Sequence, residues 1–248
     1  LSHNLNNGHT FLPRRKLLAA TAQLLGLEDL DTLGDGLEAL IERGEVIQEE
    51  TAGEEAVYLF DLYEAECFVA QRLAEMSREE LLPPEDMDTV IDRIQRDQGI
   101  TYAPQQRSAV ELAARSQVML LTGGPGTGKT TSLRGVLALF DHMGLDTALA
   151  APTGRAAKRL GELCGMEAYT IHRLLETQFD PGTGKLVFAH DESEPLKADA
   201  VIVDETSMVD VTLMRALLSA LRGECRLVLV GDPDQLPSVG PGNVLSDL

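Results

Sequence analysis

Residues 118 to 131, VMLLTGGPGTGKTT, constrain the fold more than any other stretch. The apolar run Val118 to Leu121 reads as a buried strand, and glycines at 123, 124, 126 and 128 give the loop after it backbone freedom. From Lys129 the spacing of KTTSLRGVLALF predicts an amphipathic helix. Strand, glycine loop and helix in that order form a phosphate site, because inward-turned loop N–H groups and the positive end of the helix dipole converge on one point. Lys129 is then placed to reach the outer phosphates and the Thr130 hydroxyl to ligate magnesium. Every fixed position of G-x-x-x-x-G-K-[ST] falls in the required context, which makes a ligand-free Gly-rich connection a poor alternative.

With 248 residues the chain can bury a sizeable core as one large domain or two small ones. No apolar stretch approaches the ~20 residues of a membrane span, and the N-terminal LSHNLNNGHT lacks the pattern of a signal segment, so a cytoplasmic protein with no membrane contact is expected. The missing initiator Met and an end at Asp247-Leu248, inside an apparent helix, suggest a piece of something longer. Cys67, Cys164 and Cys225 are far apart and odd in number, which indicates neither a zinc site nor a disulfide framework. A net charge of −19 argues against nucleic acid at first sight. It is unevenly spread, however: Glu28 to Glu66 holds 14 acidic residues and one basic one, whereas Arg155, Lys158, Arg159 and Arg173 cluster beyond the glycine loop.

The N-terminal stretch reads as a helix over 13–27, a second over Leu33 to Arg43, and two short strands, EVIQEE and AVYLFDLY, with a turn at Thr51 to Glu54. Helix, helix, hairpin is the order of a winged-helix-like unit, and equally of a generic small α+β unit. Its acidic surface favours contact with protein over DNA. A helix over 61–76 leaves the unit, and Ser77 to Pro84 reads as a linker. Helices over 85–98 and 104–115 lead to the central strand, with a glutamine pair at 105 and 106 near the start of the second. A glutamine there can both donate to and accept from an adenine edge.

Beyond the loop, DTALAA (146–151) is a second strand that delivers Pro152, Thr153, Gly154 and Arg155 to the ligand-binding edge of a parallel sheet. Taken alone, Arg155, Lys158 and Arg159 read as a solvated helix face. YTIHRLLE predicts a short helix beginning near Thr170, and 177–198 an excursion, a hairpin with a turn at Asp180 to Gly184. AVIVDE (200–205) has the form of a central parallel strand with acids at its tip. Asp204 suits a magnesium site, and Glu205 orienting or deprotonating a water. A further helix and the strand RLVLVGD bring Asp232 and Gln235 to the same edge, where an amide can sense a γ-phosphate.

The series GGPGTGKT, APTGRAA, TIHRLL, VIVDETSM, GDPDQLPSVGPG resembles the first motor domain of superfamily 1 helicases, and more narrowly the RecD-like DNA helicases, specifically from Gln105 to Asn243. The resemblance implies an α/β fold: a RecA-like P-loop NTPase parallel sheet with helices on both faces, preceded by a small, mainly helical, winged-helix-like domain. The division implied is 1–76, a linker and helix over 77–100, and a motor over 101–248 with a hairpin insertion at 177–198. It implies ATP and Mg2+ as cofactors, and 5′ to 3′ movement on single-stranded DNA up to duplex junctions, in repair and recombination. Gln106 matches the adenine-binding glutamine. Gly124, Gly126, Thr127, Gly128, Lys129, Thr130 and Thr131 match the phosphate and magnesium loop, Asp204 and Glu205 the metal and water pair, and Gln235 the γ-phosphate sensor. Pro152, Thr153, Gly154, Arg155, Thr170 and His172 match or flank positions that touch the single strand, and 177–198 occupies the place of a strand-splitting pin. Relatives have a second motor domain carrying an arginine finger, worth roughly 10³ to 10⁵ in rate, so this chain alone is expected to bind nucleotide and hydrolyse it poorly. Rival readings are an RNA helicase of the same superfamily, a P-loop ATPase acting as a clamp or scaffold, and an N-terminal unit that docks a protein.

Overall fold

The computed structural model describes residues 1, 8–27, 29–51, 53–182 and 185–248. The expected turns at 51–54 and 180–184 lie in part outside the described residues. At the N-terminus, β1 (Phe11–Pro13), α1 (Arg14–Leu25), α2 (Leu30–Glu42), β2 (Val46–Thr51) and β3 (Glu54–Leu59) form a unit around an antiparallel sheet of order β1-β3-β2. α1 ends where Gly26 turns left-handed at φ 65°, and α2 starts under Asp29, whose side chain accepts from the N–H groups of Asp31 and Thr32. Leu17, Leu37, Val46 and Val57 make its small core. Arg14 ties sheet to helix through Gln48 (2.7 Å) and Glu38 (2.8 Å).

The chain passes from β3 straight into α3 (Phe60–Arg78), whose buried stripe of Leu62, Ala65, Val69, Leu73 and Met76 follows the helical period. That stripe packs into the larger core and not the N-terminal one. The stretch that reads as a linker is pinned: Glu80 bridges Ser116, and Leu81 N–H donates to the Arg115 carbonyl at 2.8 Å. α4 (Met87–Gln98) and α5 (Pro104–Arg115) are held together by Arg107, which meets Asp92 at 2.9 Å and Glu111 at 3.0 Å and also pairs with Asp88.

Next come β4 (Val118–Thr122), α6 (Lys129–His142), β5 (Thr147–Ala151), α7 (Gly154–Cys164), β6 (Ala168–Thr170), α8 (Ile171–Leu174), β7 (Thr177–Asp180), β8 (Lys185–Phe188), β9 (Ala200–Val203), α9 (Val211–Ser219), β10 (Arg226–Gly231) and α10 (Val244–Asp247). Five of these strands make a parallel sheet of order β4-β10-β9-β5-β6. Successive side chains of a strand point to opposite faces. Val201, Val203, Leu227 and Leu229 therefore join the core with α3 and α9, while Ala200, Ile202, Val228 and Val230 join the one with α4, α5 and α6. Helices cover both faces, as an apolar parallel sheet requires. β7 and β8 stand apart as a two-stranded hairpin pairing Thr177 with Phe188. The short helix expected to begin near Thr170 is α8, capped by Thr170, but the strand before it was not expected: three residues carry no usable period, and only pairing beside β5 makes Ala168 to Thr170 the strand β6. The N-terminal unit also touches the loop after Gln235, where Gly242 N–H donates to the Gly8 carbonyl at 3.0 Å.

Candidate nucleotide site and nucleic-acid edge

The sheet register decides what meets at its C-terminal edge. Gly231 pairs beside Thr122, and Val203 beside Leu229, so β4, β10 and β9 end nearly level. The glycine loop leaves β4, Asp232 leaves β10, and Asp204 with Glu205 leaves β9. All line one cavity of about 390 Å³ together with Gly124, Gly126, Thr127, Gly128, Lys129, Thr130 and Gln235. Of the expected nucleotide residues, Thr131 and Gln106 do not line it. The Thr131 N–H donates to the Gly128 carbonyl at 3.0 Å, inside the first turn of α6.

Backbone shape in the loop depends on glycine at particular places. Gly128 caps α6 at φ 88° and ψ 15°, a left-handed conformation open to glycine at little cost. A Cβ at Gly128 would lie 2.4 Å from Gln106 Nε2, and one at Gly123 2.7 Å from Thr127 Oγ1. The Gln106 side chain thus lies across the loop, and its Oε1 accepts from Ala103 N–H at 2.9 Å. An amide oxygen has two lone pairs, so the side chain keeps one acceptor site and its NH2 group for a ligand. Lys129 Nζ is folded onto the loop, donating to the Gly123 carbonyl and, at 3.0 Å, to that of Gly124.

Burial pushes the Asp204 carboxyl above its ordinary 3.8, opposed by the Glu205 N–H and by the charges of Arg159 and Lys129. The Glu205 N–H reaches Asp204 Oδ1 at 2.9 Å. Glu205 itself sits at φ 53° and ψ 41°, a left-handed conformation uncommon for a non-glycine residue. Such strain persists only where the surroundings over-determine it. Here Val203 anchors one side through Thr206 Oγ1, which donates to its carbonyl at 3.1 Å. Asp232 is 4 % exposed and accepts from Asp234 N–H at 3.1 Å, and the Gln235 N–H meets the Asp232 carbonyl at the same distance, folding Gln235 back over the edge.

Oxygen donors from Thr130 and Asp204 beside a loop of amides suit a hard divalent cation that takes few protein ligands and completes its shell with phosphate oxygens and water. Among the described residues no group of three or more His, Cys, Asp and Glu gathers to hold a metal, so a cation here would depend on the nucleotide for most of its shell.

Further along the edge, β5 and β6 are neighbours with Ala151 beside Thr170, which brings Pro152 to Arg155 next to Thr170 and His172. Thr153 and Thr170 cap α7 and α8, accepting from Ala156 N–H at 3.2 Å and Arg173 N–H at 3.1 Å. Each hydroxyl proton stays available to a phosphate oxygen. Arg155 is exposed. The His172 ring packs 5.7 Å from Phe188 of the hairpin, so it joins the strand edge to β8. Arg173 lies over the Tyr169 ring at 4.8 Å. The sequence reading missed Arg159: it lines the nucleotide cavity, on the face of α7 that carries Leu160 and Leu163. Its one-residue offset from the outward Lys158 was the only available signal.

A five-stranded parallel sheet with helices on both faces and a glycine-loop cavity at its strand tips defines a RecA-like P-loop domain. The chain belongs to the AAA-domain family, which matches residues 106–241, and it is a homologue of the RecD-type DNA helicases. It is 36% identical over 252 residues to the ATP-dependent RecD2 DNA helicase of Deinococcus radiodurans, covering 95% of this chain and 33% of that protein. It is 44% identical over 167 residues to the RecBCD enzyme subunit RecD of Mycolicibacterium smegmatis, covering 58% of this chain and 30% of that one. A crystal structure of the Pif1 helicase from Candida albicans is similar at 27% identity and a TM-score of 0.41, over 56% of this chain and 34% of that chain. The chain spans about a third of the length of the curated relatives it matches. No described helix is long and apolar enough to cross a membrane.

Proposed function

We propose that this chain is the first motor domain of an ATP-dependent DNA helicase that moves 5′ to 3′ along single-stranded DNA towards duplex junctions, in repair and recombination. One observation carries the reading: Lys129, Asp204, Glu205 and Gln235, up to 106 positions apart in sequence, share one cavity with the glycine loop. In this reading the loop amides and Lys129 hold the phosphate tail, with Lys129 exchanging the Gly123 and Gly124 carbonyls for phosphate oxygens. Gln106 reads the adenine edge. Thr130 and Asp204 hold Mg2+, which when bound withdraws charge from the outer phosphates. Glu205 orients the attacking water and takes its proton, and Gln235 registers the γ-phosphate.

Pro152 to Arg155, Thr170 and His172 hold the strand beside the same edge, and the β7–β8 hairpin stands at the point of strand separation. The boundaries proposed are 1–76 for the N-terminal segment, whose last helix α3 packs on the motor, 77–100 for the connection and 101–248 for the motor. The acidic unit offers a surface to a basic protein partner, and the cytoplasm is the proposed location. The test uses the full-length protein and its Lys129→Ala variant on a 5′-tailed DNA duplex and on its RNA counterpart. The reading expects ATP-dependent strand displacement on DNA, lost in the variant while single-strand binding is kept. Failure to displace a strand would favour a clamp, and preference for RNA an RNA helicase.

A further inference from the structure

Two adjacent cations on α7 face different ways. Lys158 points outward and lies 3.9 Å from Glu162, one turn on, an exposed pair of the ordinary i,i+4 kind. Arg159 has no ion-pair partner among the described residues, and with Leu160 and Leu163 it lines the cavity shared by Lys129, Asp204, Glu205 and Gln235. Leu160 is 1 % exposed, which fixes the rotation of the helix against the sheet, and the exposed Arg159 beside it reaches the cavity wall. The cavity charges make that position consequential. Asp204, Glu205 and Asp232 face two cations, Lys129 and Arg159, and an anionic ligand entering without the second would meet three carboxylates and one ammonium.

We propose that Arg159 is a phosphate-binding residue supplied by this same domain, which contacts the outermost phosphate of the bound nucleotide and so favours triphosphate over diphosphate. The inference rests on the cavity being the nucleotide site. The glycine loop and Lys129 enclose the tail from the β4 side. Arg159 acts from the β9 side, where its charge bears on Asp204 more strongly than that of Lys129 does. A guanidinium is permanently charged and its planar fork matches two phosphate oxygens at once. Asp204 feels that charge across the cavity but forms no ion pair with it, which leaves the fork open to a phosphate.

The test measures equilibrium affinity of the full-length protein for a fluorescent, non-hydrolysable adenosine triphosphate analogue and for the corresponding diphosphate, with Mg2+, in wild type, Arg159→Ala, Arg159→Lys and Lys129→Ala. Arg159→Ala is expected to weaken the triphosphate about ten- to a hundredfold, the range of a hydrogen bond to a charged group, and the diphosphate by less than about twofold. Arg159→Lys is expected to recover part of the loss, because it restores charge without the fork. Equal losses for both nucleotides, or none, overturn the inference. If Lys129→Ala binds both nucleotides as wild type does, the nucleotide site itself is misassigned. If Lys129→Ala fails to bind while Arg159→Ala is unaffected, only the assignment of Arg159 falls.

Discussion

Replacing Gly128 by alanine tests the cradle and the proposed adenine contact together. Gly128 sits at φ 88°, where an L-residue costs about 1 to 2 kcal/mol. The added Cβ would stand 2.4 Å from Gln106 Nε2, so the amide must swing aside and release Ala103 N–H from its 2.9 Å bond. A typical net hydrogen bond contributes about 0.5 to 1.5 kcal/mol, which brings the expected loss to about 1.5 to 3.5 kcal/mol. For a domain of this size that corresponds to a fall in Tm of roughly 3 to 14 °C. Thermal unfolding of wild type, Gly128→Ala, Gln106→Ala and the double variant separates the two contributions. Gln106→Ala already lacks the displaced bond, so Gly128→Ala should cost about 1 kcal/mol less in that background, a coupling a double-mutant cycle resolves. Nucleotide competition supplies the second readout, since a displaced Gln106 should lower the preference for ATP over GTP. A Gly128→Ala protein that melts within about 1 °C of wild type would refute the packing argument. An unchanged base preference in Gln106→Ala would refute the adenine assignment.

Asp204→Asn should raise stability and remove metal-dependent nucleotide binding. A carboxyl raised by burial is held protonated more tightly in the folded state, so its stabilising contribution is complete below the ordinary 3.8 and is lost as pH rises through the folded value. At neutral pH the ionised group therefore weakens the fold, and the variant should melt higher than wild type at pH 7, with the gap closing towards pH 4. A lower Tm at pH 7 would contradict this. Glu205→Gln keeps shape and left-handed backbone, so nucleotide affinity should stay within about twofold while turnover falls at least ~100-fold; retained turnover would exclude Glu205 as the base. His172→Ala should weaken single-strand binding in an anisotropy titration and, by removing the ring against Phe188, loosen the hairpin by about 0.5 to 1.5 kcal/mol. Loosening with unchanged DNA affinity would make His172 a packing residue only.

The parts of the site that are contiguous in the chain were legible in the sequence. A glycine loop between an apolar run and an amphipathic helix needs only local backbone geometry to turn its amides inward, so Gly124 to Thr130 could be placed from spacing alone. The apolar runs of β9 and β10 likewise announced themselves, because strands buried on both faces have no room for polar alternation, whereas β4, equally apolar, proved an edge strand with Leu120 exposed. What local pattern does not encode is which strands lie side by side. The order β4-β10-β9-β5-β6 sets Asp232 between the glycine loop and Asp204, and it makes Ala168 to Thr170, just before the helix that Thr170 caps, an edge strand that no local pattern marked. The direction of Arg159 was hidden for the same reason: one face of α7 is inner only because β5 and β6 lie beneath it. The approach of Gln106 to Gly128, and the joining of α3 to the larger core, are likewise contacts across the fold. Residue spacing along a chain reports hydrogen bonding and burial within one element, whereas the distances that make a binding site are set by how separate elements pack, and only the folded chain contains them.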